Sequence, residues 1–411
     1  MQRQIGNRVG KLALCAVLGL ACGGVLAQAG AYSNGGVKIG VLTDMSGVYS
    51  DVGGVGSVVA AQMAIDDFKA EAKPAFKIDL VSADHQNKAD IGASRVREWY
   101  DAEGVDMVTD LINSAVALAA AKVTVDKNRI LMVSGAGTTR LTNEDCAPDN
   151  VVHYGWDTRS LSNGQALALA ARGKKTWYFV SVDYALGRAL EQEASEAIRA
   201  AGGRVLGSVK HPLNAADFSA FMLQAQSSKA QVIGLANGGG DLINAIKAAG
   251  EYGLRGKQTL AGLGTTFTDI HAIGLETAQG MFLVEDFYWD LNQQTRAWSR
   301  RFLAQHKRMP NMIHAATYSA VLSYLKAVQA AGTDAAPAVM KQLHALPIND
   351  MFVTNGAVRA DGRMLHNMYV MEVKTPAESK EPWDYFHVRS TIPADKAFPP
   401  LSASKCSAVA K

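Results

Sequence analysis

Val37-Lys38-Ile39-Gly40-Val41-Leu42 is an apolar run with β-branched residues at alternate positions, and it ends at Thr43-Asp44. A glycine-rich loop, residues 45–56, follows it. Val58, Ala61, Ile65 and Phe68 then recur at helical spacing. The stretch reads as buried strand, loop and amphipathic helix. Working outward, Phe76, Ile78 and Leu80 alternate like a strand with one covered face. Residues 91–100 read as a helix, 105–109 as a strand, a helix rich in Ala and Val opens near Ser114, and 129–134 read as another strand. Right-handed crossovers turn such a βα series into a parallel, doubly wound sheet.

The rhythm breaks between Thr138 and Ser162, where Asn143, Asp145, Pro148, Asp149 and Asn150 mark a crossing between lobes. It then restarts, with helices over 161–171, 186–201, 218–227 and 242–251 and strands over 176–181, 205–209, 232–236 and 258–261. A strand at 280–284 suggests a second crossing. Two strong helices follow, 295–305 and 314–330, the latter with Tyr318, Val321, Leu322, Leu325 and Val328 as one apolar stripe. Residues 356–359, Asp361-Gly362 and 368–373 read as a hairpin with a tight turn, followed by a Pro-rich tail. The expectation is an α/β chain of two Rossmann-like doubly wound lobes. Open α/β sheets bind ligands beyond the carboxyl ends of their strands, so two facing lobes place a cleft at the hinge.

Arg3, Arg8 and Lys11, an apolar run over 12–27 and Ala27-Gln28-Ala29 form a secretory leader, residues 1–29. Cys22 follows Gly19-Leu20-Ala21, a poor lipidation context, so a cleaved, soluble, extracytoplasmic product is expected. The chain has 41 basic and 38 acidic residues, and three of the basic ones lie in the leader. The mature body is therefore formally neutral and carries no electrostatic footprint for nucleic acid. Its two cysteines, Cys146 and Cys406, lie in an oxidising compartment where pairing is the default.

Catalytic and metal constellations are missing from the sequence: there is no H-E-x-x-H, no G-x-S-x-G and no P-loop. Neither a cofactor nor a metal is expected. Asp66-Asp67 and Glu191, Glu193 and Glu196 are expected on solvated helix faces. What stands out is a set of small polar strand-end loops, Asp110-Leu111-Ile112-Asn113-Ser114 and Ser134-Gly135-Ala136-Gly137-Thr138. Free N–H groups at a helix start, together with hydroxyls, cradle a carboxylate without a full positive charge. Asn113 or Ser114 also suits an N-cap, and capping alone accounts for either. Two adjacent loops of one character favour a ligand. In the second half Asp183-Tyr184 and Asn237-Gly238-Gly239-Gly240-Asp241 occupy equivalent positions, with Asp241 expected as a helix N-cap.

The segments 37–42, Met45-Ser46-Gly47 and Ala61-Gln62-Met63-Ala64-Ile65-Asp66-Asp67 resemble the opening of periplasmic binding proteins of the leucine/isoleucine/valine-binding family, the capture components of ABC importers. The likeness continues through Asn113-Ser114-Ala115-Val116-Ala117, Asp183-Tyr184-Ala185-Leu186-Gly187, Phe287-Tyr288-Trp289-Asp290, Tyr318-Ser319-Ala320 and Arg359-Ala360-Asp361-Gly362-Arg363. It implies type I periplasmic binding protein lobes joined by three crossings. Lobe 1 would span 31–156 and 285–348, and lobe 2 would span 157–284 and 349–395, with a tail over 396–411.

The resemblance also implies ligand contacts at Asn113, Ser114, Ala136, Gly137, Thr138 and Tyr184, with Asn237 beside them. It implies a small carboxylate ligand, and a permease with its ATPase subunit as partners. Two family positions depart: a ligand-stacking tyrosine falls at Val52, and the acid that holds an amino acid's ammonium falls near Leu263. Burying an α-ammonium without an acid is costly. Aromatic or other hydrophobic acids are therefore favoured, while Asp241 keeps a branched-chain amino acid open. A sensor with the same fold and an extracytoplasmic enzyme are the rival readings.

Overall fold

The computed structural model describes residues 32–254 and 256–409, so the expected leader lies outside the described residues. The first lobe begins β1 (Gly36–Thr43), α1 (Gly54–Ala72), β2 (Lys77–Asp84), α2 (Ala89–Glu98), β3 (Met107–Asp110), α3 (Ser114–Asp126), β4 (Ile130–Val133), β5 (Val151–His153). These strands form one parallel sheet, ordered β2-β1-β3-β4-β5. β5 lies inside the stretch expected to be a crossing. Its three residues carry no periodicity of their own and are held as a strand by pairing with β4. β1 packs so closely against Trp99, the residue after α2, that a Cβ on Gly40 would lie 2.6 Å from its ring.

The second lobe runs α4 (Thr158–Ala170), β6 (Thr176–Val182), α5 (Ala185–Ala200), β7 (Arg204–His211), α6 (Ser219–Ser227), β8 (Val232–Gly238), α7 (Gly239–Glu251), β9 (Thr259–Gly264), α8 (Phe267–Ile273), α9 (Leu275–Ala278), β10 (Phe282–Glu285). β7-β6-β8-β9 is its parallel sheet.

The chain then returns to the first lobe as α10 (Gln293–His306), α11 (Met312–Ala331) and α12 (Ala336–Ala345). The expected single stripe on α11 is too narrow a description: residues from Met312 to Leu325 are all buried, because α1, α12 and β3 pack around it. Asp67, expected to be solvated, accepts the Tyr318 hydroxyl at 2.7 Å and pairs with Arg301.

The expected C-terminal hairpin has the right turn and the wrong partner. β11 (Ala357–Val358) pairs with β12 (Met364–Leu365), whereas β13 (Met368–Val373) lies antiparallel between β10 and β14 (Phe386–Ile392). β14 was hidden in the Pro-rich tail, which continues through the short α13 (Ala394–Ala397).

The crossings converge at a polar core. His153 bridges Arg363, whose fully buried guanidinium lies 3.7 Å from the Asp157 carboxylate and 4.1 Å above the Phe398 ring. Cys146 and Cys406 form a disulfide across 260 residues, tying the tail to the first lobe.

Candidate functional site

Three first-lobe loops meet at the carboxyl ends of β1, β3 and β4. Asp44 organises the first: its carboxylate accepts the N–H groups of Ser46, Gly47 and Tyr49 at 3.2, 2.6 and 2.9 Å, and the Asn87 amide at 2.6 Å. That turn delivers Tyr49 into the interior, 4% exposed, where its hydroxyl lies 2.8 Å from that of Tyr184 in the second lobe. Val52, where the resemblance places the family's stacking tyrosine, is a buried apolar residue, and Tyr49 lies three residues before it.

The second loop is strained. Asp110 and Leu111, both fully buried, have φ of 74° and 57°, a region that non-glycine residues rarely enter. Burial pushes the Asp110 carboxyl up to about 6. The turn brings Asn113 to the N-cap of α3. The Asn113 side chain accepts the N–H groups of Ala115 and Val116, and its backbone carbonyl takes that of Ala117. Asn113 is a structural cap. Ser114 keeps its own N–H, and its buried hydroxyl has no hydrogen-bond partner among the described residues.

The third loop lies beside the second, joined by the Gly135 N–H donating to the Asp110 carbonyl at 2.9 Å. The Ala136 carbonyl is drawn to His153 Nε2 at 2.8 Å, and the Gly137 carbonyl to the Thr158 N–H at 2.8 Å. In a trans peptide the N–H opposes the preceding C=O, so the N–H groups of Gly137 and Thr138 point away from these anchors. The Thr138 hydroxyl is buried and unpartnered among the described residues, like that of Ser114. A side chain at Gly137 would collide with the Trp156 ring. Neither loop carries Lys or Arg, so the pair offers dipoles rather than charge.

The second lobe contributes Tyr184 at the N-cap of α5 and Asn237 at the end of β8. The lobes touch here, with the Gly240 N–H donating to the Val48 carbonyl at 2.9 Å. Asp241 is not the N-cap of α7, a place Gly238 takes. Its two oxygens accept the N–H groups of Asn214 (3.0 Å) and Ala215 (3.1 Å), pinning the loop after β7. Leu263 is a buried apolar residue.

Glu193, expected to be solvated, is buried on α5 and accepts the Thr139 hydroxyl from the first lobe. Burial there pushes its carboxyl up to about 8.

The sequence model described as periplasmic binding protein matches residues 36–380. The chain belongs to the periplasmic binding protein family. No curated protein matches it. Among solved structures, it is similar to a periplasmic binding protein from Burkholderia mallei, at 49% identity and a TM-score of 0.89, covering 91% of this chain and 99% of that one. A branched chain amino acid ABC transporter periplasmic ligand-binding protein from Burkholderia xenovorans LB400 is 37% identical, with a TM-score of 0.80 and coverage of 90% and 99%. A solute binding protein from R. palustris, in complex with benzoate, shares the fold at 19% identity, with a TM-score of 0.79 and coverage of 91% and 100%. This is a family of solute-binding proteins of ABC transporters, not of enzymes, and its members work in the periplasm.

Tyr49 was not singled out from the sequence and Glu193 was placed in solvent, whereas the structure puts both at contacts between the lobes. Tyr49 is the one aromatic residue between Asp44 and Gly56, which was the available signal.

Proposed function

We propose that this chain captures a small carboxylate, preferably an aromatic or hydrophobic acid, between its two lobes and delivers it to a membrane permease driven by an ATPase subunit. The carrying observation is the pair of buried, unpartnered hydroxyls, Ser114 Oγ and Thr138 Oγ1, on adjoining loops with free N–H groups. A carboxylate has up to four acceptor sites and satisfies such donors without a counter-ion. Asn113 supports the cradle as the cap of α3; Ala136 and Gly137 shape it; Tyr184 and Asn237 close over the ligand body. Closure follows from contacts made only in the shut state. Synthesis with a cleaved leader and work in the periplasm complete the reading.

A branched-chain amino acid is the second reading, favoured by the relative at 37% identity, a branched chain amino acid ABC transporter periplasmic ligand-binding protein. Against it stand Leu263 at the place of the family's acid and the engagement of both Asp241 oxygens.

A thermal-shift series with benzoate, benzamide, leucine and hexanoate tests the proposal. Ligand at a hundredfold over its dissociation constant adds about 2.7 kcal/mol of stability. Acids shift the midpoint and the amide does not; equal shifts for benzoate and benzamide would refute the carboxylate cradle.

A further inference from the structure

Asn237 and His211 meet at the carboxyl edge of the second sheet, on β8 and β7 at either side of the end of β6, and both are fully buried. Their contact is directional. His211 Nδ1 lies 2.9 Å from the Pro212 carbonyl, which only accepts, so Nδ1 carries the proton. The ring packs against Phe218 and Phe221, with centroids 4.7 and 5.8 Å away, and burial favours its neutral form. In a neutral ring with Nδ1 protonated, Nε2 is an acceptor. Asn237 Nδ2, 3.0 Å from it, must therefore be the donor. This fixes the amide the other way round for everything else: Asn237 Oδ1 is left as a buried acceptor with no partner among the described residues. It sits where the lobes close, since residues 238–240 lie directly against Val48 and Tyr49.

We propose that His211, acting through Asn237, sets the polarity of the second-lobe end of the site, so that the receptor selects acids bearing a neutral hydrogen-bond donor, a hydroxyl, distal to the carboxylate. The inference rests on the carboxylate reading above and adds the second functional group. His211 is a positioning residue and Asn237 the one that touches the ligand. A neutral donor fits better than a cation because both oxygens of the nearby Asp241 are already engaged with backbone N–H groups. A site built to pair with a substrate hydroxyl discriminates strongly against the analogue that lacks it, because its own buried group is then left unpaired.

Calorimetry with 4-hydroxybenzoate, 4-methoxybenzoate, benzoate and benzamide tests this on the mature protein, with 6-hydroxyhexanoate and hexanoate as the aliphatic pair. The hydroxy acid of at least one pair binds about tenfold or more tighter than its parent, and the methoxy acid, an acceptor only, gains nothing. Asn237→Leu brings that ratio close to one, whatever it does to the affinity for the parent acid. His211→Phe keeps a ring but frees the amide to turn, and it lowers the ratio although Asn237 is intact; His211→Gln returns an acceptor and restores part of it. A purely structural role for His211 would weaken both acids equally and leave the ratio unmoved. Equal binding of hydroxy and parent acids by the unmutated protein overturns the inference while the carboxylate reading stands. Equal binding of benzoate and benzamide, or binding by none of the acids, overturns both.

Discussion

The hydroxyl of Tyr49 lies 2.8 Å from the hydroxyl of Tyr184, and the two tyrosines belong to opposite lobes. Each ring is held by its own lobe, Tyr49 by the turn around Asp44 and Tyr184 by the start of α5. The bond joins the two lobes and is lost if they part. A neutral hydrogen bond of this kind contributes about 0.5–1.5 kcal/mol. In a double-mutant cycle on ligand affinity, Tyr49→Phe and Tyr184→Phe are expected to couple by about 1 kcal/mol. Strict additivity would mean that the pair plays no part in closing.

Ser114 and Asn113 are adjacent, yet their substitutions should separate cleanly. Ser114→Ala or Thr138→Val removes a buried hydroxyl that the protein itself leaves unpartnered, so stability changes by less than about 0.5 kcal/mol. Carboxylate affinity falls by about 1.5–3 kcal/mol, the range for a hydrogen bond to a charged group. Asn113→Ala instead removes the cap of α3 and lowers stability by about 1 kcal/mol even without ligand. Paired melting curves and calorimetry distinguish the two. A large loss of stability in Ser114→Ala with unchanged affinity would reverse the assignment.

The strand-end loops were legible because a parallel strand is a short apolar run and the small polar residues after it stand out. That places Ser114, Thr138, Tyr184 and Asn237 at the carboxyl ends of their sheets. The partners of those loops were not legible. Tyr49 and Tyr184 are 135 residues apart in the chain, and no periodicity links them. Glu193 lies on a helix whose outward face reads as solvated, and the sequence does not show that this face meets the other lobe. β5 and β14 failed for a different reason: both depend on a neighbour's hydrogen bonds more than on their own pattern.

The disulfide closes a span of 260 residues, and the tail it holds makes polar contacts to the same loop. Ser404 Oγ donates to the Thr142 carbonyl and the Lys405 N–H to Asn143 Oδ1, both at 3.0 Å. Since the cross-link mainly restricts the unfolded chain, Cys146→Ser with Cys406→Ser is expected to cost about 2–5 kcal/mol of stability. Ligand affinity should remain within about twofold, because neither the Cys146 side chain nor that of Cys406 is part of the cradle. Denaturant melts of the oxidised and doubly substituted proteins check the first figure, and calorimetry the second.

Glu193 gives the closed form a pH dependence of definite sign. Its carboxyl is pushed up to about 8 by burial between α5 and the Thr139 loop, whereas the unfolded or opened chain returns it towards its ordinary value of 4.5. Between these values the closed protein holds a proton that the exposed group releases. Stability therefore falls as pH rises through that window, by up to about 1.4 kcal/mol per unit, and the effect is absent below the ordinary value. Parting of the lobes separates Glu193 from Thr139 and closure reunites them, so ligand affinity should weaken over the same range. Glu193→Gln is neutral at every pH and keeps an oxygen that accepts the Thr139 hydroxyl. It should flatten both profiles and leave the variant more stable than the parent at pH 8. Measuring melting midpoints and dissociation constants from pH 5 to 9 decides it. Parallel profiles for the two proteins would place the titrating group elsewhere.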